Sequence, residues 1–163
     1  MFVLNRKCAE KLFKKFGDQI ECIHGFDISK QSISILNKKF KKEILENKFK
    51  AEMANICDIN DIFINNKIKI GEYYDIIYHI NCFYFWDNLN LCGMRLNKLL
   101  KNGGYNIGGY RWNAVKNLPK HIFKNKSRDI YINMLRKARF NMNSINIHGK
   151  SNEFQLITIQ KHQ

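Results

Sequence analysis

In "VLNRKCAEKLFKKF", residues 3 to 16, apolar positions recur at three- and four-residue steps: Leu4, Cys8 and Leu12, with Phe13 and Phe16. That spacing places them on one stripe of an α-helix, and Gly17 ends it. The period then changes. "IECIHGF", residues 20 to 26, is a short apolar run that predicts a strand. Ser29 is a good N-cap for a second helix, in which Ile33, Leu36, Phe40 and Ile44 share one face. Lys38, Lys39 and Lys42 fall away from that face and read as a solvated surface. "FKAEMANIC", residues 49 to 57, predicts a weaker strand running into Asp58, followed by a polar, turn-prone stretch to Gly71.

"YDIIYHI", residues 74 to 80, is the clearest strand pattern, and "NCFYFW" is expected to extend it. Residues 88 to 100 predict a helix with Leu89, Cys92, Leu96, Leu99 and Leu100 inward, ended by Gly103 and Gly104. Residues 105 to 110 predict a strand, and residues 127 to 139 a helix capped by Ser127, with Ile130, Met134 and Ala138 in register. The tail "NSINIHGKSNEFQLITIQK" reads as a β-hairpin. Strands alternating with crossover helices imply an α/β fold: a mostly parallel sheet, helices on both faces and a C-terminal antiparallel hairpin. With no internal repeat, and a single proline, Pro119, that marks no linker, residues 1–163 are expected to form one domain.

Composition adds limits. The five cysteines are scattered and odd in number, and none sits in a C-x-x-C pair. That argues against a disulfide framework or a zinc site and suits a reducing compartment. The start is charged too early for a secretory signal, and no apolar run approaches the roughly 20 residues of a membrane span. A cytoplasmic protein without a membrane partner is the expectation. The net charge of +14 invites a nucleic-acid partner. The excess is dispersed lysine in a chain also crowded with asparagine and isoleucine. These residues share AT-rich codons, which discounts that reading without closing it.

"GFDISKQSI", "YDIIYHINCFYFWDN" and "LNKLLKNGGY", in that order, resemble consecutive motifs of the class I S-adenosylmethionine-dependent methyltransferases. The resemblance covers about residues 3 to 161 and implies a Rossmann-like fold, S-adenosylmethionine as cofactor and methyl transfer to a small-molecule acceptor. It implies that Asp27, followed by Ile28, holds the cofactor's ribose, and that Asp58, followed by Ile59, meets the adenine. Asn81 would stand at the open end of the fourth family strand, beside the cofactor, and Tyr74-Asp75 matches the pair that opens that strand. "KARFN" resembles the family's "aGF" turn, with Arg139 where glycine is usual. The family's first strand and its E/D-x-G-x-G-x-G loop have no counterpart. "MFVL" therefore looks like a cut just inside the family domain, and weak catalysis is expected without that loop.

Each assignment has a plainer rival. Asp27 can serve as a helix cap, Asp58 as a turn residue, Asn81 as a strand terminator and Asp75 as a strand opener. Phe83 to Trp86 read as packing around a pocket mouth. His24, His79 and His121 lack metal-ligand spacing and read as structural. No catalytic residue stands out: the sulfonium donor is already activated, so alignment supplies much of the rate. The acceptor-facing elements would be "NCFYFWDN" and "RWNAVKNLPKHIFKN", where Arg111, Trp112 and His121 could recognise an acceptor. The alternatives are a truncated or degenerate non-catalytic domain, an RNA-modifying methyltransferase, and a nucleotide-linked dehydrogenase. "LLKNGG" and the terminal hairpin count against the dehydrogenase.

Overall fold

Two short parallel strands and the helices around them make up the first of two compact units, residues 1–55 and 56–163. The computed structural model describes residues 6–57, 73–119, 123, 125–150 and 154–162. In the first unit, α1 (Arg6–Phe16) is followed by β1 (Ile23–Asp27), α2 (Lys30–Lys39), α3 (Lys41–Leu45) and β2 (Phe49–Met53). β1 and β2 pair in parallel, Ile23 opposite Phe49 and Asp27 opposite Met53, so the segment is a βαβ crossover. Its core is Ala9, Ile23, Phe26, Leu36, Phe40 and Phe49. The Phe40 and Phe49 rings stack at 4.4 Å, with Phe13 5.7 Å from Phe40.

Both strands are shorter than the apolar runs suggest: β1 starts at Ile23, and β2 stops at Met53. The helix expected to run on to Ile44 breaks at Phe40. There φ is −101° and ψ 30°, and the backbone N–H closes α2 on the Leu36 carbonyl. Asn47, at φ +57°, makes the turn into β2.

The second unit contains β3 (Tyr74–Ile80), α4 (Leu89–Leu99), β4 (Leu100–Arg111), α5 (Trp112–Lys116), α6 (Arg128–Lys137), β5 (Asn146–His148) and β6 (Phe154–Gln160). Its sheet order is β3-β4-β6-β5. β3 and β4 are parallel, while β6 runs antiparallel to both β4 and β5, so the expected parallel pairing and terminal hairpin are present. Asn88 caps α4 by accepting from the Leu91 N–H at 3.0 Å. Ser127 caps α6 as expected, accepting from Ile130.

Two expectations fail here for local reasons. "NCFYFW" does not extend β3: Asn81 turns the chain at φ +53°, and Phe83–Phe85 is a 3₁₀ turn. Gly103 and Gly104 do not end α4 either. The helix passes directly into β4 at Leu100, and both glycines lie inside the strand. They belong to an irregularity in which the partner of β3 jumps from Leu100 to Tyr105 between Tyr74 and Ile76. Gly103 has φ +76°, and a Cβ on Gly104 would come within 3.0 Å of the Asp75 carbonyl. Gly103 is thus required by its left-handed backbone and Gly104 by the close approach of the neighbouring strand. No helix among the described residues is long and apolar enough to cross a membrane.

Candidate functional site

β1 ends on Asp27, where a carboxylate can reach solvent beyond a buried strand. Ile23 to Phe26 are buried and Asp27 is half-buried. One carboxylate oxygen accepts from the Ser29 backbone N–H at 2.8 Å, making a local turn. The cap of α2 is Ser29 itself, whose hydroxyl accepts from the Ser32 N–H at 3.2 Å. Asp27 is therefore not the N-cap. Its Oδ1 is turned into the loop, and its Oδ2 makes no hydrogen bond or ion pair among the described residues. Ile28 beside it is 71% exposed. In the same unit, buried His24 bonds to Glu52 at 2.9 Å, and Lys50 reaches that carboxylate at 2.7 Å. Burial takes the His24 imidazole down to about 4.

In the second unit the carboxyl ends of β3 and β4 lie side by side, Ile80 opposite Gly109. Asn81 follows β3. Its N–H donates to the Gly109 carbonyl at 2.8 Å, and its Oδ1 accepts from the Arg111 N–H at 3.3 Å. Its strand-terminating role is thus visible. Asp75 is the second residue of β3, exposed and bonded to Lys101 at 2.7 Å. Phe83 and Trp86 are buried, whereas Phe85 is exposed, so the aromatic stretch is divided between core and rim. Asp58, Ile59 and His121 lie outside the described residues.

Beneath that edge sits a polar cluster that periodicity did not reveal. His79 is fully buried, and both its ring nitrogens are bonded: Nδ1 to the Tyr110 hydroxyl at 3.0 Å and Nε2 to the Tyr131 hydroxyl at 3.1 Å. Asn106 Nδ2 donates to the Tyr131 oxygen at 2.9 Å. A neutral imidazole has one N–H and one acceptor nitrogen, so one phenol donates to it and the other accepts. Burial pushes His79 down to about 3 and Tyr110 well above its ordinary value. The ring is held neutral, in keeping with a structural role. The available signal was Gly108, opposite His79: a glycine inside a strand marks a close approach.

An open groove of about 410 Å³ lies between the start of α4 and α6, lined among others by Asp87, Asn88, Asn125, Asn133 and Lys137. Asp87 and Asn88 belong to the first acceptor-facing stretch expected from sequence, and Asn125 to the second. The groove is polar, with amides outnumbering charges.

No protein-family model matches the chain, and no curated protein matches it in sequence. Solved structures do match in fold. A "putative methyltransferase" from Bacillus halodurans superposes with a TM-score of 0.70 at 9% identity, over 99% of this chain and 91% of that one. Another, from Haloferax volcanii and solved in complex with a methyltransferase activator, gives 0.71 at 10% identity over 96% and 78%. A geranyl diphosphate methyltransferase in complex with S-adenosylmethionine gives 0.65 at 12% identity over 94% and 73%. The chain spans only 54% of a "possible exported protein" from Bordetella parapertussis, at TM-score 0.61, 10% identity and 87% of this chain. The fold is that of the class I S-adenosylmethionine-dependent methyltransferases. The likeness is one of fold, at 9–12% sequence identity to the three methyltransferase structures.

Proposed function

We propose that this chain is a single methyltransferase-like domain that binds S-adenosylmethionine and transfers its methyl group to a small-molecule acceptor. The observation that carries the reading is Asp27. It ends a parallel strand in a βαβ unit, where such folds receive a ribose, and the adjacent helix is capped by another residue. Asp27 and Ile28 would take the ribose, Asp58 and Ile59 the adenine, and Asn81 the side facing the donor. S-adenosylmethionine would supply the activated methyl group. The polar groove beside α4 suits an acceptor carrying hydrogen-bonding groups.

Calorimetry with S-adenosylmethionine and its demethylated product tests this. Asp27→Ala should weaken both by about 1.5–3 kcal/mol, the range for a hydrogen bond to a charged group. Ser29→Ala should leave affinity nearly unchanged. Equal affinity in Asp27→Ala would confine Asp27 to its turn. The second reading is a non-catalytic domain with this fold; residues 1–163 contain no E/D-x-G-x-G-x-G loop. Such a loop brings backbone N–H groups against the donor. Absence of binding to either compound would select that reading.

A further inference from the structure

The five cysteines look unrelated in sequence, but the second unit brings two of them together. Cys57 Sγ and Cys92 Sγ are 2.7 Å apart, although 35 positions separate them along the chain. Non-bonded carbon atoms, which are smaller than sulfur, settle about 3.5–4.0 Å apart. A disulfide needs about 2.03–2.05 Å. Little movement therefore separates this contact from a bond. The surroundings hold the approach in place. Cys92 is fully buried on α4, between that helix and its core. Arg95, one turn further along, donates from Nη1 to the Ile56 carbonyl at 3.2 Å and so ties the backbone next to Cys57 to the same helix.

We propose that Cys57 and Cys92 form a reversible disulfide when the protein meets a hydroperoxide. Exposure sets the order of events. Cys57 is half-buried and reachable, whereas Cys92 is not. The Cys57 thiolate attacks the peroxide. An S–O bond forms, the O–O bond breaks, and the alcohol or water leaves carrying the proton lost by the thiol. Cys92 then attacks the Cys57 sulfur. The S–S bond forms, the S–O bond breaks, and the departing hydroxide takes the Cys92 proton as water. Two thiols lose two electrons and the peroxide gains them. Burial, the contact with Cys57 and the Asp87 carboxylate push the Cys92 thiol well up, and the Arg95 cation offsets only part of this, so Cys92 enters the second step as the thiol and gives up its proton as it attacks. The chemistry is compatible with a reducing compartment, where such bonds are transient. It does not depend on the methyltransferase reading.

The test is peptide mapping of the native full chain after brief exposure to dilute hydrogen peroxide. The expected result is a loss of two hydrogens in intact mass, a linked Cys57–Cys92 peptide pair, and reversal by dithiothreitol. Cys57→Ser and Cys92→Ser should each abolish the link, and Cys22→Ser should not. The oxidised chain should also melt at a higher temperature, because the bond closes a long loop in the unfolded state. Three results would overturn the proposal: sulfinic acid on Cys57 with Cys92 untouched, a bond through any other cysteine, or no native-state oxidation of Cys57. The wild-type peptide map decides among these even if a serine variant fails to fold.

Discussion

Gly108→Ala should be among the most disruptive single-methyl changes in this protein. A Cβ there would lie 2.5 Å from the Tyr131 hydroxyl, 2.7 Å from the Tyr110 hydroxyl and 2.8 Å from Tyr110 Cε2. Neither hydroxyl can yield cheaply, since both are bonded to the fully buried His79. Overpacking costs about 1–3 kcal/mol. Loss of two buried hydrogen bonds adds about 1 kcal/mol each. Replacing a strand glycine returns about 0.5–1 kcal/mol. The net is a destabilisation of about 3 kcal/mol, read from the urea midpoint at constant m-value. A double-mutant cycle locates the cause. In a Tyr110→Phe, Tyr131→Phe background the obstructing oxygens and their bonds are gone, so Gly108→Ala should cost at least about 1 kcal/mol less, a coupling typical of residues in contact. Additivity, or a neutral Gly108→Ala in the parent chain, would refute the argument that this glycine exists to seat the two phenols against His79.

Two further expectations concern stability. Arg139 holds φ +63° at the end of α6, a conformation that costs a non-glycine residue about 1–2 kcal/mol. Arg139→Gly should therefore raise stability by about 0.5 kcal/mol after glycine's larger unfolded-state entropy is subtracted. A lowered thermal midpoint would contradict this. Between pH 7 and 5 the chain should lose stability as acid is added. Unfolded His79 takes up a proton below its ordinary value of 6.5, whereas folded His79 stays neutral to about 3, and His24 to about 4. The unfolded state thus binds more protons across this window, so stability falls with pH, by at most about 1.4 kcal/mol per pH unit for each histidine. Equal urea midpoints at pH 7 and 5 would sink the claim.

Much of the fold follows from local pattern. The helical stripes around Leu36, Leu96 and Met134, the caps Ser29 and Ser127, and the β3 run can all be read along the chain, because amphipathic period and capping depend on neighbours three or four residues away. So can Asp27 as the end of a strand before a capped helix, and Arg139 as a residue in a glycine's place, which the structure finds at a positive φ. Other features depended on partners distant in sequence. Gly103 and Gly104 look like a helix stop until β3 is laid alongside and shows them to be part of a strand irregularity. The turn at Asn81 depends on bonds to Gly109 and Arg111. His79 acquires its meaning only when Tyr110 and Tyr131 converge on it, and Cys57 meets Cys92 only across a folded unit. Periodicity reports which side of an element is buried. It carries no information on which polar groups meet inside, since that is set by the pairing of strands and the docking of helices far apart along the chain.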